Sequence, residues 1–142
     1  MAAGNDITLV RDAIHNPADP RHFMRLTRPN YRVTATIAGI EIATSTRAIK
    51  LKEVRRDIYD PVIYFPREDI DMGRLVTIAK STYCPLKGDT EYFDAHLGTQ
   101  RFAEVAWSYT RALRIAHVIQ NCVAFDARRV HVVEHSADSD GQ

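Results

Sequence analysis

The chain has 142 residues, 45% of them hydrophobic and 26% charged, with a net charge of +1. That length suits one domain whose core folds without disulfides or structural metals, and so small a charge gives no field to recruit nucleic acid or an anionic membrane, neither of which is expected as a partner. No apolar run approaches the roughly 20 residues that cross a bilayer, and Met1-Ala2-Ala3-Gly4-Asn5-Asp6 lacks the basic-then-apolar order of a signal peptide, so the chain is expected to be cytoplasmic, with Cys84 and Cys122 as free thiols.

Residues 1–30 read as an N-terminal arm. His15 to His22 is rich in turn formers (Asn16-Pro17, Asp19-Pro20) and poor in periodicity. Ile7, Val10 and Ile14 fall at helical spacing, which predicts a short docked helix. Residues 31–135 read as a single β-rich domain. Val33, Ala35 and Ile37 alternate with Arg32, Thr34 and Thr36, the period of a half-buried strand. Ala38-Gly39 supplies a turn, and Ile40 and Ile42 resume the alternation to complete a hairpin. Ile49 and Leu51 alternate with Lys50 and Lys52 in a third strand, and Val62 to Phe65 make a fourth, halted by Pro66. Tyr83, Tyr92-Phe93 and Val105-Ala106-Trp107 mark later short strands, spaced by Gly88 and Gly98. The stretch Ala112 to Ile119 contains no breaker and predicts a short helix. Val130, Val132 and Val133 predict a closing strand, and residues 136–142 form a small, acidic tail expected to fray. The expected fold is mainly β: compact antiparallel sheets of short strands with one or two short helices.

Two proline-bearing stretches carry the chemistry: Tyr64-Phe65-Pro66-Arg67-Glu68-Asp69 and Thr82-Tyr83-Cys84-Pro85-Leu86-Lys87-Gly88-Asp89. Several common sites are absent. There is no Gly-rich loop of the Rossmann or P-loop type, no His-Glu-x-x-His pair and no Gly-x-Ser-x-Gly elbow. The two cysteines are too few and too far apart for a zinc knuckle.

The order Ser45-Thr46-Arg47-Ala48, Tyr64 to Asp69, Thr82 to Gly88, Ala106-Trp107-Ser108-Tyr109 and Val123-Ala124-Phe125 resembles the domain of unknown function 427 family, over about Tyr31 to Glu134. Some catalogues label that family a nucleotidyltransferase. The resemblance implies a small tent-like β fold, of the kind seen in B-type methionine sulfoxide reductases and in the ligand-binding domain of cereblon. Relatives of that fold carry zinc between paired cysteines. This chain departs from that pattern, so no metal and no cofactor are expected. It also lacks the Gly-Ser and paired aspartates of standard nucleotidyltransferases, although Asp69-Ile70-Asp71 is a DxD string.

The candidate ligand-binding residues are Arg47, Tyr64, Asp69, Thr82, Cys84, Lys87, Tyr92 and Trp107. Lys87 beside Gly88 is either a solvated turn lysine or a mobile cation for phosphate or carboxylate. Cys84 is either a small core residue or a thiol activated by Lys87. Asp69 either pairs with Arg47 or Arg67, tying strands together, or acts as a base, and Arg47 could instead clamp an anion. Trp107 is either core or, with Tyr64, Tyr92 and Tyr109, a pocket wall. Arg47, Lys50, Lys52, Arg55 and Arg56 face Glu53 alone and read as a solvated basic strand and loop. His131 and His135 read as surface or edge-strand residues. The expected function is binding of a small anionic or nucleotide-like molecule. The alternatives are a nucleotidyltransferase-type enzyme, a thiol enzyme using Cys84, or a protein-interaction module.

Overall fold

The computed structural model describes residues 12–136. Ile7 and Val10 of the expected docked helix lie outside the described residues, as does the tail beyond Ser136.

Two antiparallel sheets make up the described chain. The larger is built from β1 (Ile14–Asn16), β2 (Asp19–Thr27), β5 (Ile49–Val54), β6 (Val62–Phe65), β7 (Leu75–Ile78), β8 (Tyr83–Cys84), β9 (Gly88–Leu97), β10 (Gln100–Ala112) and β11 (Val123–Phe125). Its order is β1-β2-β5-β6-β11-β10-β9-β7, with β8 also paired to β9. The smaller sheet has the order β12-β3-β4, from β3 (Arg32–Ile37), β4 (Ile40–Ser45) and β12 (His131–His135). The chain is thus mainly β. No helix among the described residues is long and apolar enough to cross a membrane.

The larger sheet is buried on both faces at its centre, which explains why Val62 to Phe65 reads as an unbroken apolar run. Ile63, Phe65, Val123 and Phe125 face the main core, shared with Val33, Ala35, Ile37 and Ile42 of the smaller sheet. Tyr64 and Ala124 point the other way, into a second cluster with Met24, Leu51, Leu86, Tyr109 and Ile119.

Two expectations are corrected. Residues 14–27, read as part of an arm, form the β1–β2 hairpin, and β2 pairs with β5 from Phe23↔Val54 to Thr27↔Lys50. His22 and Met24 are buried by it. Proline and aspartate at the start of β2 are tolerated because they lie at its exposed end, beside the turn. The expected helix at Ala112 to Ile119 is shorter and tighter. β10 runs through Ala112, and only Arg114–Ile119 is helical, as a 3-10 turn whose geometry breaks at Ala116 (φ −114°, ψ 17°). Pairing of Arg111 with Asp89 and Ala112 with Gly88 holds these residues in the strand.

The β3–β4 hairpin turns through Ala38 (φ 50°) and Gly39 (φ 80°), both left-handed, with Ile37 opposite Ile40. A two-residue turn of this hand favours Asn-Gly, and alanine is strained there. Ala38→Asn is expected to raise stability by about 0.5–1 kcal/mol, read as a higher urea midpoint. An unchanged midpoint would show that Ala38 carries no such strain.

Candidate functional site

Strand register assembles the site. Ile49, Tyr64, Ala124, Trp107, Tyr92 and Ile78 are successive directly opposed partners across β5, β6, β11, β10, β9 and β7. They therefore form one row on one face. Ala124, with only a methyl group, separates Tyr64 from Trp107, so the two larger side chains meet over it. The Trp107 indole Nε1–H donates to the Tyr64 hydroxyl at 3.3 Å. Tyr109, two residues along β10, lies on the same face, its ring centroid 6.4 Å from that of Tyr64. Burial is the main cause that pushes the Tyr64 and Tyr109 hydroxyls far above the ordinary phenol value, so both keep their protons at neutral pH.

These residues line a cleft of about 360 Å³ together with Tyr92, Lys80 and Lys87. The Lys80 ammonium lies 4.5 Å from the Tyr92 ring centroid and that of Lys87 lies 5.5 Å from the Tyr109 centroid, both within cation–π range. Lys80 also pairs with Glu104 at 3.0 Å, on the exposed rim. Glu104 sits at an irregularity in the β9–β10 register with φ 49°. Its N–H donates to the buried Asp94 carboxylate at 2.8 Å, which fixes the irregularity in place. Thr82 meets the rim from outside, its hydroxyl 3.0 Å from that of Tyr92 and 2.8 Å from that of the buried Thr90.

Beneath the cleft, Lys87 is buried and donates to Glu53 Oε1, while His22 Nε2 lies 2.7 Å from Glu53 Oε2. His22 Nδ1 lies 3.4 Å from the Asn16 amide nitrogen, a donor, an arrangement that suits the tautomer accepting at Nδ1 and donating from Nε2 to Glu53. Burial is the largest influence on the Glu53 carboxyl and pushes it up. The Lys87 ammonium and the hydrogen bonds from Lys87 and His22 outweigh that influence and hold it below the ordinary carboxylate value. Gly88 makes this placement feasible. Its φ is +117°, and a Cβ there would lie 2.3 Å from the Arg111 carbonyl oxygen. The carbonyl of Lys87 accepts the Leu113 N–H at 2.8 Å, so the end of β10 pins the lysine's backbone.

The predicted site residues divide into two groups. Tyr64, Tyr92, Trp107 and Lys87 share the cleft, with Thr82 at its rim. Cys84 lies on the inner side, half-buried against the second core cluster and near His22 and Glu53. Arg47 and Asp69 lie elsewhere. Arg47 lines a separate recess with Glu68 and Cys122, and that recess shares no residue with the cleft. Its guanidinium donates to Asp69 and Glu68, each at 3.1 Å, and the Ser45 hydroxyl donates to Asp69 at 2.6 Å. Asp69 therefore ties β4 to the turn after β6, and Lys87 and Asp69 do not open onto one hollow. Arg67 is absorbed too, donating to the Asn121 carbonyl at 2.7 Å and lying over the Phe93 ring. Asp71 pairs with Arg74 at 2.9 Å. The Asp69-Ile70-Asp71 string does not join a cluster of metal-ligating groups among the described residues.

Three contributors were missed by the sequence reading: His22, Glu53 and Lys80. His22 is two residues from Met24, and Glu53 is two from Leu51. That spacing puts both polar residues on the face of their buried neighbours. Lys80 gives no such signal, because it follows β7 in an irregular segment.

No curated protein matches the chain. A family model described as "Domain of unknown function (DUF427)", which carries a nucleotidyltransferase label, matches residues 25–136 and so spans β3 to β12 and only the end of β2. On that match over most of its length, the chain belongs to the domain of unknown function 427 family.

Proposed function

We propose that the protein is a binding domain for a small molecule that combines a flat ring with an anionic group. The observation that carries this reading is the meeting of Tyr64, Tyr92, Trp107 and Tyr109 with two ammonium groups in one cleft. Aromatic faces hold planar groups by stacking, and a polar tip such as the Tyr92 hydroxyl orients them. Lys80 is the cation that answers the anion. Its pair with Glu104 is exposed on both sides, and such pairs exchange partners at little cost. Lys87 is held by Glu53 at the floor of the site. Arg47, committed to Asp69 and Glu68, takes no part. Free thiols at Cys84 and Cys122 suit a reducing, cytoplasmic setting.

The test is calorimetry of the full chain against nucleoside mono-, di- and triphosphates and a series of aromatic carboxylates. Trp107→Ala should weaken whichever compound binds by about tenfold or more, a loss of about 1.4 kcal/mol or greater. Lys80→Ala should weaken only the anionic members, whereas Arg47→Ala should leave binding unchanged. Silence across the panel, or binding that is indifferent to Trp107→Ala, would overturn this reading.

A further inference from the structure

Glu53 also centres a constellation that the ligand cleft does not use. Glu53, the buried His22 and the half-buried Cys84 each place one metal-ligating atom within 4.8 Å of the other two. Imidazole nitrogen, carboxylate oxygen and thiolate sulfur are all zinc donors. On a tetrahedral zinc such atoms lie about 3.3–3.8 Å apart, so closing the cluster asks for side-chain shifts of about 1 Å. His22 and Glu53 stand on the paired strands β2 and β5, and Cys84 stands on the short β8, which is held in place by its pairing with β9. A positive charge already lies against the cluster, since the Lys87 ammonium is bound to the Glu53 carboxylate.

We propose that His22, Glu53 and Cys84 form a zinc site for which the Lys87 ammonium is the built-in competitor. On binding, Cys84 gives its thiol proton to solvent, and the His22 proton moves from Nε2 to Nδ1, which requires the Asn16 amide to turn its oxygen from the Ala18 N–H toward the ring. Lys87 leaves Glu53 with its charge intact. The zinc charge is then matched by one carboxylate and one thiolate, so the buried cluster is neutral both before and after. Metal uptake thus exchanges one internal cation for another and turns the Lys87 ammonium toward the cleft.

The test is calorimetric titration of the full chain with zinc chloride, under a non-chelating reductant and in buffers of differing ionisation enthalpy. The expected result is uptake of one zinc with release of about one proton. Cys84→Ser should weaken uptake by at least about tenfold. Lys87→Met, which removes the competitor, should tighten it by about tenfold. Cobalt should give near-ultraviolet thiolate-to-metal absorption that Cys84→Ser abolishes, and this reading stands alone if Lys87→Met does not fold. Failure to saturate at one zinc, uptake unchanged by Cys84→Ser, or cobalt spectra without the thiolate band would overturn the proposal. No cleft ligand is present in the titration, so its outcome is independent of the ligand panel.

Discussion

Lys87→Met should lower the free energy of unfolding by about 3–5 kcal/mol at neutral pH, because it leaves the Glu53 carboxylate buried without its cation. Both side chains are close to nine-tenths buried (10% and 13% exposed), so solvent screens the pair only weakly. Dependence on pH separates this effect from a loss of packing. In the native protein the Glu53 value is depressed. Its contribution is therefore complete above the unfolded carboxyl value of about 4.3 and is lost as pH falls through the lower folded value. In Lys87→Met, burial is opposed by His22 alone, and the folded value moves above the unfolded one. The variant's own carboxyl then costs stability as pH rises from the unfolded value toward the raised folded one. The deficit relative to the native protein should be full by about pH 7 and shrink steadily as pH falls below the unfolded carboxyl value, as measured by urea unfolding across the interval. A deficit that stays constant over that range would show that Lys87 acts through its methylenes rather than its charge. Glu53→Gln paired with Lys87→Met should recover much of the loss, since the double variant leaves no buried charge unpaired.

Gly88→Ala should be still more damaging, at about 4 kcal/mol or beyond, and its protein should accumulate poorly. A methyl at Gly88 would meet the Arg111 carbonyl oxygen at 2.3 Å and the Leu113 nitrogen at 2.8 Å, both of them backbone atoms that cannot rotate away. Gly39→Ala is the control. Gly39 also has a positive φ, but a Cβ there would have nothing within 4 Å, so it carries only the conformational cost of about 1–2 kcal/mol. Thermal unfolding of the two variants reads the difference directly. Equal losses would mean that β9 can step away from β10 at this point and that the close approach is not required for the fold.

Much of the fold was legible because period-2 alternation is direct evidence of a strand with one buried face. Val33 to Ile42 announced a hairpin and its turn, and Ile49 with Leu51 announced β5. The arm was misread because Pro17, Asp19 and Pro20 mask the alternation of His22, Met24 and Leu26 that follows them. The site was half legible. Tyr64, Tyr92, Trp107 and Lys87 come together as neighbours in register, but register is set by pairings between distant strands and cannot be read from any one segment. Asp69 looked equivalent to Lys87 in sequence, both being ionisable groups in proline-bearing stretches, and Arg47 joined them as a cation in one of the recurring blocks. They differ in three dimensions because Arg47 finds two carboxylates nearby and Lys87 finds one, beneath the cleft. Glu53 was counted as one acid diluting a basic run. Its place in the Ile49-Leu51-Glu53 series marked it as inward-facing, and an inward carboxylate requires a cation.

The family match opens at residue 25, partway along β2. The cooperative sheet opens earlier, since β1 begins at Ile14 and β2 brings His22 and Met24 inside. Ancestry-based limits and mechanical limits therefore disagree by about one hairpin. A protein trimmed to the matched span would forfeit an edge of its larger sheet and the imidazole that steadies Glu53. Any experiment on this chain should keep the residues ahead of the matched span, because the part of the molecule that must stay whole is larger than the part that can be recognised.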